Sequence, residues 1–214
     1  PPKYLPEVSK SLQDLLERKM NKDNISFEGT NIFYTPRRFA LYIIEMAPEQ
    51  SSETQKIKGP PKKIGIDEDG NYTKAAKGFV EGAGGSVEDL YVDEADGGTY
   101  LFYDKTIQGK PSLEIIPSIL KNLILDVDLP EKMKWNDSGL QFIRPIRWLL
   151  SLYGSEVVEF EIGNKKTGRI TKGHRFFGSE EVVVERTDDY KDTLRENYVI
   201  VDQEERKNLV DGYI

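Results

Sequence analysis

The chain has 214 residues, 37% hydrophobic and 31% charged, with a net charge of −7. Such a composition excludes a disordered chain and leaves room for one sizeable core or two small domains. There is no cysteine and a single histidine, His174, which excludes a disulfide framework, a thiolate nucleophile, Cys-ligated zinc and any multi-histidine metal centre.

Leu5, Val8, Leu12, Leu15 and Leu16 recur at three- and four-residue spacing among Lys, Glu and Gln, which predicts an opening amphipathic helix with Pro6 in its first turn. Residues 25–33 and 39–46 predict two strands around the turn Tyr34-Thr35-Pro36-Arg37-Arg38. The polar stretch 48–63, with Gly59-Pro60-Pro61, predicts an extended connection. Thr73 is placed to cap a helix over 74–82 whose buried face is Ala75, Ala76, Phe79 and Val80, and Ser86 to cap a further turn. Strands are expected at 90–92 and 99–107, joined by an acidic turn over 93–98. Ser112 reads as the cap of a helix to about 125, in which Pro117 predicts a kink or an interruption.

The remainder predicts strands at 142–143, 148–153, 157–162, 170–176 and 182–185, a helix at 188–197, a short strand at 199–201 and a last helix from 203. No apolar run, the densest being 148–153, is long enough to cross a bilayer. Strands and helices do not alternate as regular βαβ units. The expected fold class is therefore α+β, with an N-terminal amphipathic helix, a mostly antiparallel or mixed sheet, and helices at the C-terminal end.

Charge is unevenly spread. Residues 1–129 carry −5, residues 130–178 carry +4 and residues 179–214 carry −6. Local fields, rather than the acidic average, decide how an anionic partner is met. Two lobes are expected: 1–128, an α+β lobe, and 129–214, a strand-rich basic lobe ending in helices. Both ends read as cut, since the chain opens at Pro1-Pro2 and closes inside a helical pattern.

Several chemistries lack their parts. His174 has no nucleophile motif beside it, and no Gly-x-x-x-x-Gly-Lys-Ser/Thr loop exists. Gly82-Ala83-Gly84-Gly85 follows a helix rather than a strand, and Asp67-Glu68-Asp69-Gly70 lacks the remaining ligands of a calcium loop. No self-sufficient catalytic centre is expected, and neither catalytic nor metal-ligating residues are assigned.

What remains are basic clusters. Residues 163–178 read GNKKTGRITKGHRFFG, holding Lys165, Lys166, Arg169, Lys172, His174 and Arg175 without an acid. Cations, glycines and aromatics together suit a phosphate backbone and unstacked bases. The alternative is a basic hairpin whose Phe176 and Phe177 belong to the core, with its cations paired to the acidic residues of 179–214. Arg37 and Arg38 sit on a turn fixed by proline, where guanidinium forks can take phosphates or carboxylates. Lys56, Lys58, Lys62 and Lys63 lie on one acid-free stretch, either a solvated loop or an RNA contact. Trp148, within Phe142-Ile143-Arg144-Pro145-Ile146-Arg147-Trp148, reads as core.

Taken in order, six stretches carry a resemblance: Thr35-Pro36-Arg37-Arg38, Lys58-Gly59-Pro60-Pro61, Thr73-Lys74-Ala75-Ala76-Lys77-Gly78-Phe79, Pro130-Glu131-Lys132-Met133-Lys134-Trp135, Phe142-Ile143-Arg144-Pro145 with Trp148-Leu149, and Thr171-Lys172-Gly173-His174-Arg175-Phe176. The chain resembles the N-terminal region of the β subunit of the bacterial heterotetrameric glycyl-tRNA synthetase.

The resemblance implies a cytoplasmic, non-catalytic piece of a glycine–tRNA ligase. Its partners would be the α subunit and glycine-specific tRNA, with no role for DNA or a membrane. It implies that ATP and Mg belong to the class II active site of the α subunit, and that this chain holds no cofactor. The tRNA-binding candidates are then Arg37, Arg38, Lys56, Lys58, Lys62, Lys63, Lys165, Lys166, Arg169, Lys172, His174 and Arg175. The family's N-terminal region is also similar to an editing-like, tRNA-contacting module of the phenylalanine enzyme's β subunit. Three roles stay open: tRNA binding, docking of the α subunit, and hydrolysis of mischarged tRNA.

Overall fold

The computed structural model describes residues 2–212 apart from Asn136 and Ser138. The chain packs as two compact units, Pro1–Gln50 with Lys110–Ile214, and Ser51–Gly109. The expected 128/129 boundary, across which the two lobes could be continuous, falls inside the first of them.

In the larger unit, helix α1 (Leu5–Lys22) buries Val8, Leu12, Leu16 and Met20 on one stripe, as the three- and four-residue spacing requires. Strands β1 (Gly29–Thr35) and β2 (Arg38–Ile44) form an antiparallel hairpin whose register pairs Ile32 with Leu41 and Phe33 with Ala40. The period of two sends alternate residues to opposite faces. Ile32, Phe39, Leu41 and Ile43 meet the cluster built on α1, while Phe33, Ala40 and Tyr42 meet a second cluster around Val184, Tyr190, Leu194 and Val201. The hairpin thus packs on both faces, and its turn, Pro36-Arg37, lies at one end.

The smaller unit is a three-stranded antiparallel sheet covered by a helix. Strands β3 (Glu53–Pro61), β4 (Leu90–Ala95) and β5 (Gly98–Ile107) lie in the order β3-β5-β4. The one-turn helix α2 (Lys62–Gly65) and helix α3 (Lys74–Ala83) complete it. Thr73 Oγ1 accepts from the Ala76 amide, and Gly84 (φ 87°) closes the helix in the left-handed region, as expected of a Thr cap and a glycine stop. Ala76 and Val80 pack on Leu90, Leu101 and Tyr103. Ser86 and Asp89 form a capping box around the next turn.

Two expectations change here. The stretch read as an extended connection contains strand β3, which lies at the sheet edge, where Pro60 and Pro61 are tolerated. The acidic turn contracts to Asp96-Gly97, both at positive φ, as a two-residue hairpin turn demands.

Returning to the larger unit, helix α4 (Ser112–Asp126) sets Ile116, Ile119 and Leu123 against α1, and Lys19 pairs with Asp126 at 2.6 Å. Ser112 is not its cap: Pro111 holds that position, and the buried Ser112 hydroxyl donates to the Ala47 carbonyl at 2.6 Å. The helix also runs through Pro117 without interruption.

Beyond α4 the strands are short ladders, mostly two residues long, antiparallel except where Thr167-Gly168 runs parallel to Leu149-Leu150. The strand expected at 170–176 is limited to Ile170–Thr171, and 199–201 pairs with no strand. Helices α5 (Tyr190–Glu196) and α6 (Gln203–Asp211) close the chain, so the architecture is α+β, with helices at both ends. No helix among the described residues is long and apolar enough to cross a membrane.

Candidate nucleic-acid interface

The segment after Thr171 is a loop tied at its neck by backbone. Gly173 N donates to the Ser179 carbonyl (2.8 Å), Gly178 N to the His174 carbonyl (2.9 Å), and His174 N to the Asn197 carbonyl (2.8 Å). Chain ends meet this closely only where no Cβ intervenes. A Cβ on Gly178 would stand 2.5 Å from the His174 amide nitrogen and closer still to the Asn197 carbonyl.

At the loop tip, His174 Nδ1 accepts from the backbone amides of Phe176 and Phe177, both at 3.3 Å. That assignment leaves Nε2 as the protonated nitrogen of the neutral ring. The imidazole stacks on Phe177 at 5.0 Å and 16°, and the Arg175 guanidinium lies 5.6 Å from the Phe176 centroid. Phe177 in turn meets Tyr198 at 6.1 Å.

Phe176, Phe177 and Tyr198 are 79%, 72% and 66% exposed, so the reading that placed both phenylalanines in the core does not hold. Tyr198 sits at φ 60° because it stops the preceding helix in the left-handed region, its N–H bonding the Arg195 carbonyl (3.0 Å) and that of Val199 the Leu194 carbonyl (2.8 Å).

The cations of the segment divide. Arg169 pairs with Glu185 (2.7 Å) and Lys172 with Glu180 (3.0 Å), so the acidic residues that follow neutralise two of them. Among the described residues, Lys165, Lys166 and Arg175 form no ion pair. Lys165 and Lys166 lie on a short hairpin opposite Ile162 and Glu161.

Arg38 starts β2 on the face turned away from α1. Its Nη2 donates to the Lys172 carbonyl at 2.9 Å, and its guanidinium lies 5.7 Å from the Trp148 ring. Nε and Nη1 are buried without a partner. Burial lowers the Arg38 pKa, only partly offset by the Tyr190 hydroxyl beside it, and neighbouring Arg37 lowers it further. The same burial raises Tyr42 and Tyr190 above the usual phenol value. Arg38 lines a cleft of about 1110 Å³ in this unit, together with Arg37, Arg144, Arg147 and Arg175.

The smaller unit holds the other four candidates. Lys56 pairs with Asp93 and lies 4.4 Å from the Phe102 centroid; Lys58 pairs with Asp96 at 2.7 Å and lies 3.6 Å from that of Tyr100. Hydrogen bonding to these carboxylates raises both lysines and lowers both aspartates. Lys62 and Lys63 are exposed at the following turn and, among the described residues, pair with no acid.

The sequence reading did not single out Arg144, Arg147, Trp148 or Tyr198 as site residues. The i, i+3 arginines of Phe142-Ile143-Arg144-Pro145-Ile146-Arg147 were visible, but only the fold sets them on the cleft that Arg38 also lines. Trp148, expected in the core, is half-buried on the cleft wall.

Fold and surface together define an α+β module with an arginine-lined cleft and a loop tip of exposed rings. Its curated relatives are glycine–tRNA ligase beta subunits. The chain is 41% identical over 210 residues to the glycine–tRNA ligase beta subunit of Halalkalibacterium halodurans, 98% of this chain and 30% of that protein. It is 44% identical over 205 residues to that of Limosilactobacillus reuteri, 96% of this chain and 29% of that protein. For the Bacillus subtilis subunit the identity is 38% over 214 residues, all of this chain and 31% of that protein.

A family model for the glycyl-tRNA synthetase beta subunit matches residues 1–214, and the chain belongs to that family. It spans about three-tenths of the length of these relatives.

Proposed function

We propose that this chain serves a cytoplasmic glycine–tRNA ligase by holding glycine-specific tRNA, while ATP, Mg and the adenylate chemistry belong to the α subunit. The observation that carries this reading is the tip of the 172–179 loop. Three exposed rings and the stacked His174 stand together there, with Arg175 over Phe176 and, among the described residues, without a carboxylate partner. Each exposed ring can stack an unpaired base for about 1–3 kcal/mol, and the cation answers the adjoining phosphate. Lys165 and Lys166 add unpaired charge on the same unit.

The experiment is steady-state charging by the assembled ligase carrying Phe177→Ala with Tyr198→Ala. The tRNA KM should rise about 10-fold or more, as loss of one or two stacking contacts requires, with the α subunit still co-purifying. Adding Arg175→Ala should flatten the salt dependence of tRNA binding by roughly 0.7–0.9 in slope. Loss of α-subunit association with an unchanged tRNA KM would replace this reading with a docking role. Hydrolysis of mischarged tRNA that disappears with the same substitutions would replace it with editing.

A further inference from the structure

Arg38 costs the fold stability. Its Nε and Nη1 are buried without a partner, no carboxylate pairs with it among the described residues, and the neighbouring charge of Arg37 opposes its own. A desolvated cation without a counter-ion is unfavourable, and well-packed apolar side chains in place of buried charges are often neutral or stabilising. The two buried nitrogens cannot meet an external ligand, so what this arginine does is confined to the contacts it already makes.

Those contacts join three elements. Arg38 stands at the start of β2, in the hairpin that packs on both faces. Its Nη2 donates to the Lys172 carbonyl at 2.9 Å, across 134 residues of chain, at the point where the loop leaves the strand Ile170–Thr171. With Thr171 it also acts on the hydroxyl of Tyr190, the buried first residue of α5. Beyond α5, the Asn197 carbonyl accepts from His174 N at 2.8 Å, and the Tyr198 ring meets Phe177 at 6.1 Å. The loop thus has two roots, Lys172 and the end of α5. Arg38 holds the first directly and meets the helix of the second at Tyr190.

We propose that Arg38 is a positioning residue: from the packed hairpin it fixes the entry of the 172–179 loop and the start of α5, and so sets the loop-tip rings for the base they stack. Functional sites are built this way when a side chain that never touches the ligand locks the ones that do. The consequence for tRNA rests on the reading of the loop tip given above; the tie itself does not, because it can be measured with no tRNA present.

The test combines amide hydrogen exchange with steady-state charging in the assembled ligase carrying Arg38→Met. Exchange at the His174 and Gly178 amides should rise about tenfold or more relative to the amides of α1, as loss of a hydrogen bond to a charged group requires. Tm should not fall, since methionine fills the space without an uncompensated charge. The tRNA KM should rise about threefold or more with kcat unchanged, the signature of lost binding alone. Should Arg38→Met not assemble, Arg38→Lys, which keeps a cation but not the guanidinium, serves the same test with a smaller rise expected. Loop exchange unchanged in both variants would overturn the proposal. So would a rise shared equally by α1 with a lowered Tm, the mark of a residue that only stabilises. A loosened loop with an unchanged tRNA KM overturns the positioning role if Phe177→Ala with Tyr198→Ala raises that KM. If the double variant is equally silent, the tie stands and the tRNA reading goes.

Discussion

Gly178→Ala is the sharpest perturbation of the candidate interface. A methyl group there meets backbone on both sides, the Asn197 carbonyl and the His174 amide at 2.5 Å, with the Gly173 Cα at 3.0 Å. None of these is the free end of a side chain, so the neck of the loop must open. Opening it removes the hydrogen bonds from His174 N to Asn197 and from Gly178 N to His174. At about 0.5–1.5 kcal/mol net for each, the loss is about 1–3 kcal/mol. Alanine restricts the unfolded chain and returns about 0.4–1 kcal/mol.

The net destabilisation is therefore up to about 2.6 kcal/mol, which lowers Tm by up to about 10 °C for a unit of this size. Thermal unfolding read with amide exchange at His174 and Gly178 is the assay. Gly168→Ala is the control, because a Cβ there meets nothing within 4 Å. Equal behaviour of the two variants, with the His174 amide still protected in Gly178→Ala, would show that the neck is not what shapes the loop.

Two further outcomes follow from the packing. A Cβ on Gly59 would lie 2.5 Å from Phe79 Cε1, so Gly59→Ala should destabilise the smaller unit by about 1–3 kcal/mol through overpacking. Phe79→Leu should relieve most of that in a double-mutant cycle, and additivity of the two changes would refute the contact. Burial raises Tyr42 and Tyr190 above 10.0. A phenol whose folded pKa is raised contributes stability that is complete below the unfolded value and is lost as pH climbs toward the folded value. The urea midpoint should therefore be flat to about pH 9.5 and fall above pH 10, by up to about 1.4 kcal/mol per pH unit for each group. Tyr42→Phe should flatten that fall, and an unchanged slope would exclude Tyr42 as its source.

Local rules were legible where one short segment decides the structure. The stripe of α1, the Thr73 cap and the proline-fixed hairpin turn each rest on residues a few positions apart. Strand β3 was missed because only Ile57 shows an apolar side. Lys56 and Lys58 hold their ammonium groups over the Phe102 and Tyr100 rings, so that face of the sheet is met by residues that read as polar. The loop at 172–179 was misread for another reason. The expected strand 170–176 has apolar residues only at its ends, Ile170 and Phe176, and Gly173 and Gly178 allow a close approach to Asn197 that only the fold supplies.

The same limit explains the cleft, and shows why the basic clusters are unequal. Three of the six stretches that carried the family resemblance converge on Arg38: its own turn, the run ending at Trp148 whose ring it faces, and the segment whose Lys172 carbonyl it bonds. Arg38 and Lys172 are separated by 134 residues, so no spacing rule could join them. Once joined, charge alone no longer ranks the candidates. Lys56, Lys58, Arg169 and Lys172 look as cationic in sequence as any, yet each faces a carboxylate of its own unit. A surface pair of that kind is worth little to stability, but it does reduce the charge free for a phosphate. Among the described residues Arg38 and Arg175 have no such partner, and both line one cleft. A cation's availability to an external anion is set by what the fold leaves opposite it, and by that measure Arg175 stands freer than the paired lysines of β3.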